Sequence, residues 1–367
     1  MRILESWHRE ITLLEASVRV LFIGGTGLIS SAASPLLVER GHDLTLVTRG
    51  TSAKAAVPAG AATIVTDVHD TEAFRAAIKA DVSAHGRYDV VVQWIGFSPD
   101  HISDDIETFD GITDQYVFIS SASAYATPPQ HYIVREDSTP LHNPFWQYSR
   151  DKAEAERRLR VAYGERGFPF TVVRPSHTYG YADVPMAINS WVHPWTMVDR
   201  IKTGQKILMP GDGSNLWTLT DHRDFAYAFV GLLGQQRAIG EEFHITSDDV
   251  LSWNQVHEIV ARAVGVTPEQ LHDQTLFIPS QLLARFDREA FEGPLLGDKA
   301  NAGIFDNSKV RSIVPDYVPQ HRFEQSIHES IVWFMGRPER RAIDTAAAAL
   351  WDHVAERYSR GVDAMFS

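Results

Sequence analysis

The chain contains no cysteine. That excludes disulfides, thiolate-bound zinc and a cysteine nucleophile, and it fits the cytoplasmic location we expect. Long apolar runs are also missing, none approaching the roughly 20 residues that a membrane-spanning helix needs. No basic stretch followed by an apolar one marks a secretory leader. Positive charge is in short supply: 34 Lys+Arg against 47 Asp+Glu give a formal net charge of −13. This balance opposes non-specific binding to nucleic acid or an anionic membrane, and no Lys/Arg-rich run marks a local basic groove. Metal-site spacing is absent as well. His257-Glu258 and His328-Glu329 lack a second histidine one helical turn away, so no metal is expected. Nor is there a G-x-S-x-G nucleophile elbow.

What is present begins with Val20-Leu21-Phe22-Ile23-Gly24-Gly25-Thr26-Gly27-Leu28-Ile29-Ser30. It reads as a buried strand turning through glycines into a helix that starts near Leu28. Such a turn lets a pyrophosphate approach the backbone, and the helix N-terminus offers free N–H groups to it. The spacing is the G-x-x-G-x-x-G form of the dinucleotide fingerprint, with Ser30 at the third glycine. Gly24, Thr26, Gly27, Leu28 and Ile29 are therefore candidate cofactor contacts. Further β-branched runs follow at 44–47, 63–65, 89–92, 116–119 and 170–173, separated by helical stretches over 32–40, 72–80 and 151–163. That alternation predicts an α/β fold, a Rossmann-type doubly wound parallel sheet covered on both faces. Ser252 with Gln255 has capping-box spacing, and Thr267-Pro268 opens another helix. A terminal helix is expected over 342–358.

Three segments result. Residues 1–17 form an N-terminal extension in which Ile3, Leu4, Trp7, Ile11 and Leu14 have helical spacing. Residues 18–175 form the NAD(P)-binding domain, and 176–367 a smaller, interleaved substrate-binding lobe with C-terminal helices.

The second strand ends in Val47-Thr48-Arg49-Gly50, with no carboxylate at its tip. An acidic residue there would accept hydrogen bonds from a ribose 2′-OH, whereas arginine pairs with a 2′-phosphate. Thr48 and Arg49, with Ser52 or Lys54 assisting, favour NADP, NAD being the alternative. Asp67-Val68 suits the adenine edge, and a turn-capping role also explains Asp67. Tyr148 and Lys152 lie one helical turn apart, so an ammonium could stabilise a phenolate. Ser121 or Ser123, after the fifth strand, could hydrogen-bond the reacting oxygen.

These residues resemble the short-chain dehydrogenase/reductase superfamily, on the extended side that holds the NAD-dependent epimerase/dehydratase family. The resemblance rests on Gly24 to Ile29, Ser120 to Tyr125, Tyr148 with Lys152, and Arg174-Pro175-Ser176-His177-Thr178-Tyr179-Gly180. It implies hydride transfer at a hydroxyl or carbonyl carbon. Tyr148 would be the acid/base and Ser121 would polarise the oxygen. Lys152 would lower the tyrosine pKa and hold the nicotinamide ribose, with Pro175 and His177 beside the ring. A homodimer is implied by the resemblance alone.

Departures from the family pattern concern the substrate. Trp94 and Phe97 add bulk over the crevice, with Trp94 near the cofactor. His177 replaces an asparagine. Trp217 stands where sugar-nucleotide enzymes carry a diphosphate-binding arginine, Arg223-Asp224-Phe225 falling six residues later. Phe97, Ser123, His177, Tyr179, Trp191 and Trp217 are the candidate substrate contacts. They point to a small sugar-like or aromatic molecule without a nucleotide diphosphate. The alternative is a non-catalytic NADP-binding sensor, scaffold or RNA-binding protein on the same fold.

Overall fold

The computed structural model describes residues 17–50 and 56–367. The helix expected before Val18, and Ser52 and Lys54, lie outside the described residues. The central sheet has seven parallel strands. Five are β1 (Arg19–Ile23), β2 (Asp43–Thr48), β3 (Ala62–Val65), β4 (Tyr88–Gln93) and β5 (Thr113–Ile119); the others are Phe170–Pro175 and Glu241–Ile245. Across the sheet the order is Glu241–Ile245, Phe170–Pro175, β5, β4, β1, β2, β3. Register is set by pairs such as Val20↔Leu44 and Phe22↔Val92. The chain thus reverses direction across the sheet between β1 and β4, where doubly wound sheets open a ligand crevice.

Side-chain alternation decides which helices cover which face. Val20, Phe22, Val92, Val117 and Val173 pack against Ala33 and Leu37 of α1 (Ser30–Glu39) and against Phe225 and Phe229 of helix His222–Leu232. Leu21, Ile23, Val91, Phe118 and Val172 face the other way. They meet helices α2 (Thr71–His85), α3 (Pro99–Phe109) and α4 (Gln147–Arg166). Helix α3 and strand Glu241–Ile245 were not anticipated from the sequence. The strand brings the chain back from the second half into the central sheet.

The lobe has its own core, built around Trp195, Trp217, Trp253, Phe323, Phe334 and Trp351. A three-stranded sheet orders Val250–Ser252, Leu216–Asp221 and His177–Tyr179. The expected capping box of Ser252 with Gln255 forms, and the helix opened by Thr267-Pro268 carries a second, Thr267 with Gln270. The terminal helix runs Thr345–Phe366, beyond the expected end at Tyr358. No described helix is long and apolar enough to cross a membrane.

Candidate active site

At the end of β1 the backbone takes φ +98° at Gly24 and +105° at Gly25, values that L side chains rarely adopt. A Cβ on Gly25 would lie 2.8 Å from the Leu46 side chain, so packing as well as conformation demands glycine. Gly27 differs: its Cβ would meet nothing closer than Ser30 Oγ at 3.5 Å. It is this third glycine, with Leu28 and Ile29, that faces the cavity. No side chain caps helix α1, and among the described residues no acceptor takes the Leu28 or Ile29 amide. An uncapped ten-residue helix with free N–H groups and a bare turn fits a pyrophosphate.

Thr48, Arg49, Asp67 and Val68 stand at the carboxyl ends of β2 and β3, outside the cavity. Thr48 Oγ1 accepts from the Gly50 amide at 3.1 Å, and Asp67 Oδ1 from the His69 amide at 3.0 Å. Arg49 is solvent-exposed, with no ion pair among the described residues. Gly24 and Thr26 belong to the turn but do not line the cavity.

The cavity holds about 1160 Å³ and brings Gly27, Leu28 and Ile29 together with Ser121, Ser123 and Tyr148. Helix α4 starts one residue before Tyr148 because Asn143 organises the approach. Its Oδ1 accepts from the Phe145 and Trp146 amides (3.1 and 3.2 Å), while its Nδ2 donates to Ser123 O (2.8 Å) and Gly297 O (2.7 Å). One buried amide thereby fixes the tyrosine helix, the serine loop and the lobe relative to each other. A second anchor is Glu156 of α4, fully buried and bidentate to Arg174 at 2.6 and 2.9 Å, with Ser120 donating to it at 2.6 Å. Neither Asn143 nor Glu156 was singled out in the sequence. Asn143-Pro144 before a helix was the available signal for the first.

Ser121 Oγ lies 2.9 Å from Ser123 Oγ, which also accepts from Ser149 Oγ at 2.8 Å. Lys152 is buried and donates to the carbonyls of Gly96 and Ile119, both at 2.8 Å. Burial pulls its pKa down to about 7, against the opposing charge of Glu156. The expected lowering of the Tyr148 pKa by Lys152 is not found. Burial raises the phenol above its ordinary value, a Ser121 hydrogen bond works the other way, and the Asp298 charge adds to the rise. The ammonium is directed at two strand-end carbonyls instead, 5.7 Å from the phenol ring centre.

Two further expectations are corrected. Trp94 turns away from the crevice into the core, its ring 4.9 Å from Phe229 and 5.4 Å from Phe22. Tyr179 is likewise a core residue, edge-on to Phe323 at 5.3 Å, because its strand alternation points it inward. Phe97, Pro175, His177, Trp191 and Trp217 do line the cavity. Trp217 donates to Asn301 O at 2.7 Å and lies tilted against Trp253 at 5.5 Å. Arg223 pairs instead with Asp221 at 2.8 Å and Glu329 at 2.9 Å, outside the cavity. Asp298 and Lys299 also stand on the wall, and no sequence motif announced them.

A doubly wound sheet with a glycine turn, an uncapped helix and a Tyr/Lys helix on one cavity defines a dinucleotide-binding α/β protein of the extended type. The chain belongs to the NAD dependent epimerase/dehydratase family, whose profile matches residues 20–246. It is 28% identical over 263 residues to the chloroplast stem-loop binding protein of 41 kDa b from Arabidopsis thaliana, a match covering 69% of this chain and 65% of that protein. It is 23% identical over 259 residues to 2'-dehydrokanamycin reductase of Streptomyces kanamyceticus, covering 68% of each. Among solved structures, an epimerase from Methanothermobacter thermautotrophicus aligns with a TM-score of 0.68 at 17% identity, covering 88% of this chain and 94% of that one. A dTDP-glucose 4,6-dehydratase from Bacillus anthracis in complex with NAD aligns with a TM-score of 0.66 at 18% identity, covering 88% and 98%.

Proposed function

We propose that the protein is an NAD(P)-dependent oxidoreductase or epimerase acting on a hydroxyl or carbonyl carbon of a small molecule that carries no nucleotide diphosphate. The reading rests on one observation: the phosphate-binding turn, Ser121 and Tyr148 share a single cavity, with Lys152 behind it. A nicotinamide bound there supplies the hydride donor or acceptor. Tyr148 then gives or takes the proton of the reacting oxygen, and Ser121 hydrogen-bonds that oxygen. Lys152 has a third N–H beyond its two carbonyl bonds, available to a ribose hydroxyl. His177 and Phe97 border the substrate side. The lack of a carboxylate at the tip of β2 and the exposed Arg49 support NADP over NAD. Trp217 on the cavity wall, and Arg223 engaged elsewhere, support a substrate without a diphosphate.

We take the protein to be cytoplasmic and homodimeric. Titrating it with NADPH and with NADH, followed by nicotinamide fluorescence, tests the reading directly. NADPH binding in the micromolar range is expected, and failure of both cofactors to bind rejects it. The similarity to a stem-loop binding protein favours one second reading, a cofactor-bound RNA-binding or scaffold protein. The acidic net charge of −13 weighs against it.

A further inference from the structure

The lobe's part of the cavity wall carries a pair of charges that the proposed chemistry does not use. Residues Glu292–Lys299 wind with more residues per turn than an α-helix, closed by the Ala300 amide donating to Leu295 O five residues back at 2.8 Å. The segment is pressed onto the start of α4. A Cβ on Gly293 would lie 2.4 Å from the Trp146 ring, and Asn143 holds the Gly297 carbonyl. Trp253 Nε1 holds the Lys299 carbonyl at 2.9 Å. This places two consecutive residues, Asp298 and Lys299, on the same cavity.

The Lys299 side chain is 5% exposed, yet among the described residues its ammonium meets only the Asp298 carboxylate, 3.7 Å away, and the Trp191 ring, 4.7 Å from its centre. A separation of 3.7 Å is too long for a direct hydrogen bond. The ammonium nitrogen keeps accessible surface at the cavity, with hydrogen-bonding capacity that no described protein group takes up. We infer that Asp298 and Lys299 form a diol-reading subsite, which takes adjacent hydroxyl groups of an uncharged, polyhydroxylated ring. One hydroxyl accepts from Lys299 and its neighbour donates to Asp298. The exposed Trp191 indole beside them offers an apolar face to ring C–H groups. Charge selects the class: an anion held by Lys299 would meet Asp298, and a cation held by Asp298 would meet Lys299. Neutral hydroxyls satisfy both.

The inference rests on the oxidoreductase reading for which carbon reacts, but it has its own test. The full-length protein, saturated with NADP+, is titrated calorimetrically with myo-inositol and methyl α-D-glucopyranoside as neutral diols. D-glucuronate serves as the anion, D-glucosamine as the cation and cyclohexanol as the ring without a diol. The neutral diols should bind more tightly than the other three. Lys299→Met and Asp298→Asn should each weaken them by roughly tenfold or more, while NADP+ affinity stays within about twofold. Failure of the neutral diols to bind, a preference for glucuronate, or unchanged affinities in both variants overturns the subsite. The selectivity order is read on the unmodified chain, so a variant that fails to fold leaves it decidable. Loss of NADP+ binding by the unmodified chain would instead reject the oxidoreductase reading.

Discussion

Lys152 and Lys299 are both almost wholly buried, the first behind the cavity and the second on its wall, and their ammonium groups are held in different ways. Lys152 donates to two main-chain carbonyls, Gly96 and Ile119, just beyond the ends of β4 and at the end of β5. Lys299 has a carboxylate at 3.7 Å and an aromatic face, and no hydrogen bond among the described residues. The first lysine is part of the sheet's own architecture, its nitrogen positioned by two main-chain carbonyls. The second faces the cavity with its hydrogen-bonding capacity unspent. On the proposed reading, catalysis belongs to the nucleotide half and discrimination to the lobe. Substitutions on the first wall should therefore alter turnover and folding, and those on the second should alter which ligand is accepted.

The largest effect is expected at Tyr148. Replacing it by phenylalanine removes the proton carrier while keeping its packing, so kcat should fall by about 10²–10⁴-fold with NADPH affinity unchanged. Stopped-flow or steady-state assays with any turned-over substrate check this. Retention of most turnover would overturn Tyr148 as the acid/base and move the proton transfer to another group.

Behind Lys152 stands Asp105, which accepts from Tyr116 OH at 2.6 Å and Gln93 Nε2 at 2.7 Å. Gln93 Oε1 takes the Ile95 amide at 2.9 Å and so fixes the turn that ends in Gly96. Burial pushes the Asp105 carboxyl up to about 6, only partly offset by hydrogen bonds from Tyr116 and Gln93. Its folded pKa lies above its unfolded value of 3.8, so between these values the folded state binds more protons. This contribution to stability is full below that window and is lost as pH rises through it, by about 3 kcal/mol. Asp105→Asn should flatten that fall. Urea unfolding at several pH values gives the slope, and parallel slopes for the two proteins would show that Asp105 does not titrate in this window.

A smaller effect, about 1–3 kcal/mol, is expected from Gly25→Ala, which combines a φ of +105° with a 2.8 Å contact to Leu46. Gly41→Ala is the control. Its φ is +82° but nothing lies within 4 Å, so only conformational strain remains. Thermal denaturation should rank the two. Equal losses would mean that the turn tolerates a side chain and that packing there is not the constraint.

These walls also differ in how far the sequence announced them. The glycine turn, Ser121, and Tyr148 with Lys152 are local patterns whose spacing carries their geometry. The parallel sheet was legible for the same reason, through β-branched runs between helices. Helix α3 was not, because Pro99–Phe109 is acidic and only Ile102, Ile106 and Phe109 mark its apolar face. Asp298, Lys299 and Asn143 acquire their roles from partners more than a hundred residues away in some cases, as in the Asn143–Gly297 bond. No local spacing encodes such a meeting. Trp94 and Tyr179 were misplaced because an aromatic next to a crevice and one in the core look alike until strand alternation is fixed.

The smallest effect tests the outer end of the nucleotide wall. Arg49 is exposed at the tip of β2, and no described carboxylate neutralises it. A guanidinium there stabilises a 2′-phosphate through charge-assisted hydrogen bonds, weakened by solvent screening. Arg49→Glu should therefore lower NADPH affinity about tenfold and leave NADH binding unchanged or improved, since the carboxylate can accept from a free 2′-OH. The effect should shrink as salt is raised, because the pair is surface-exposed. Lys299→Met should leave the NADPH/NADH ratio where it was. If Arg49→Glu weakens both cofactors equally, this end of the wall does not read the 2′ position. The choice between NADP and NAD would then fall to Asp67 and its neighbours at the end of β3.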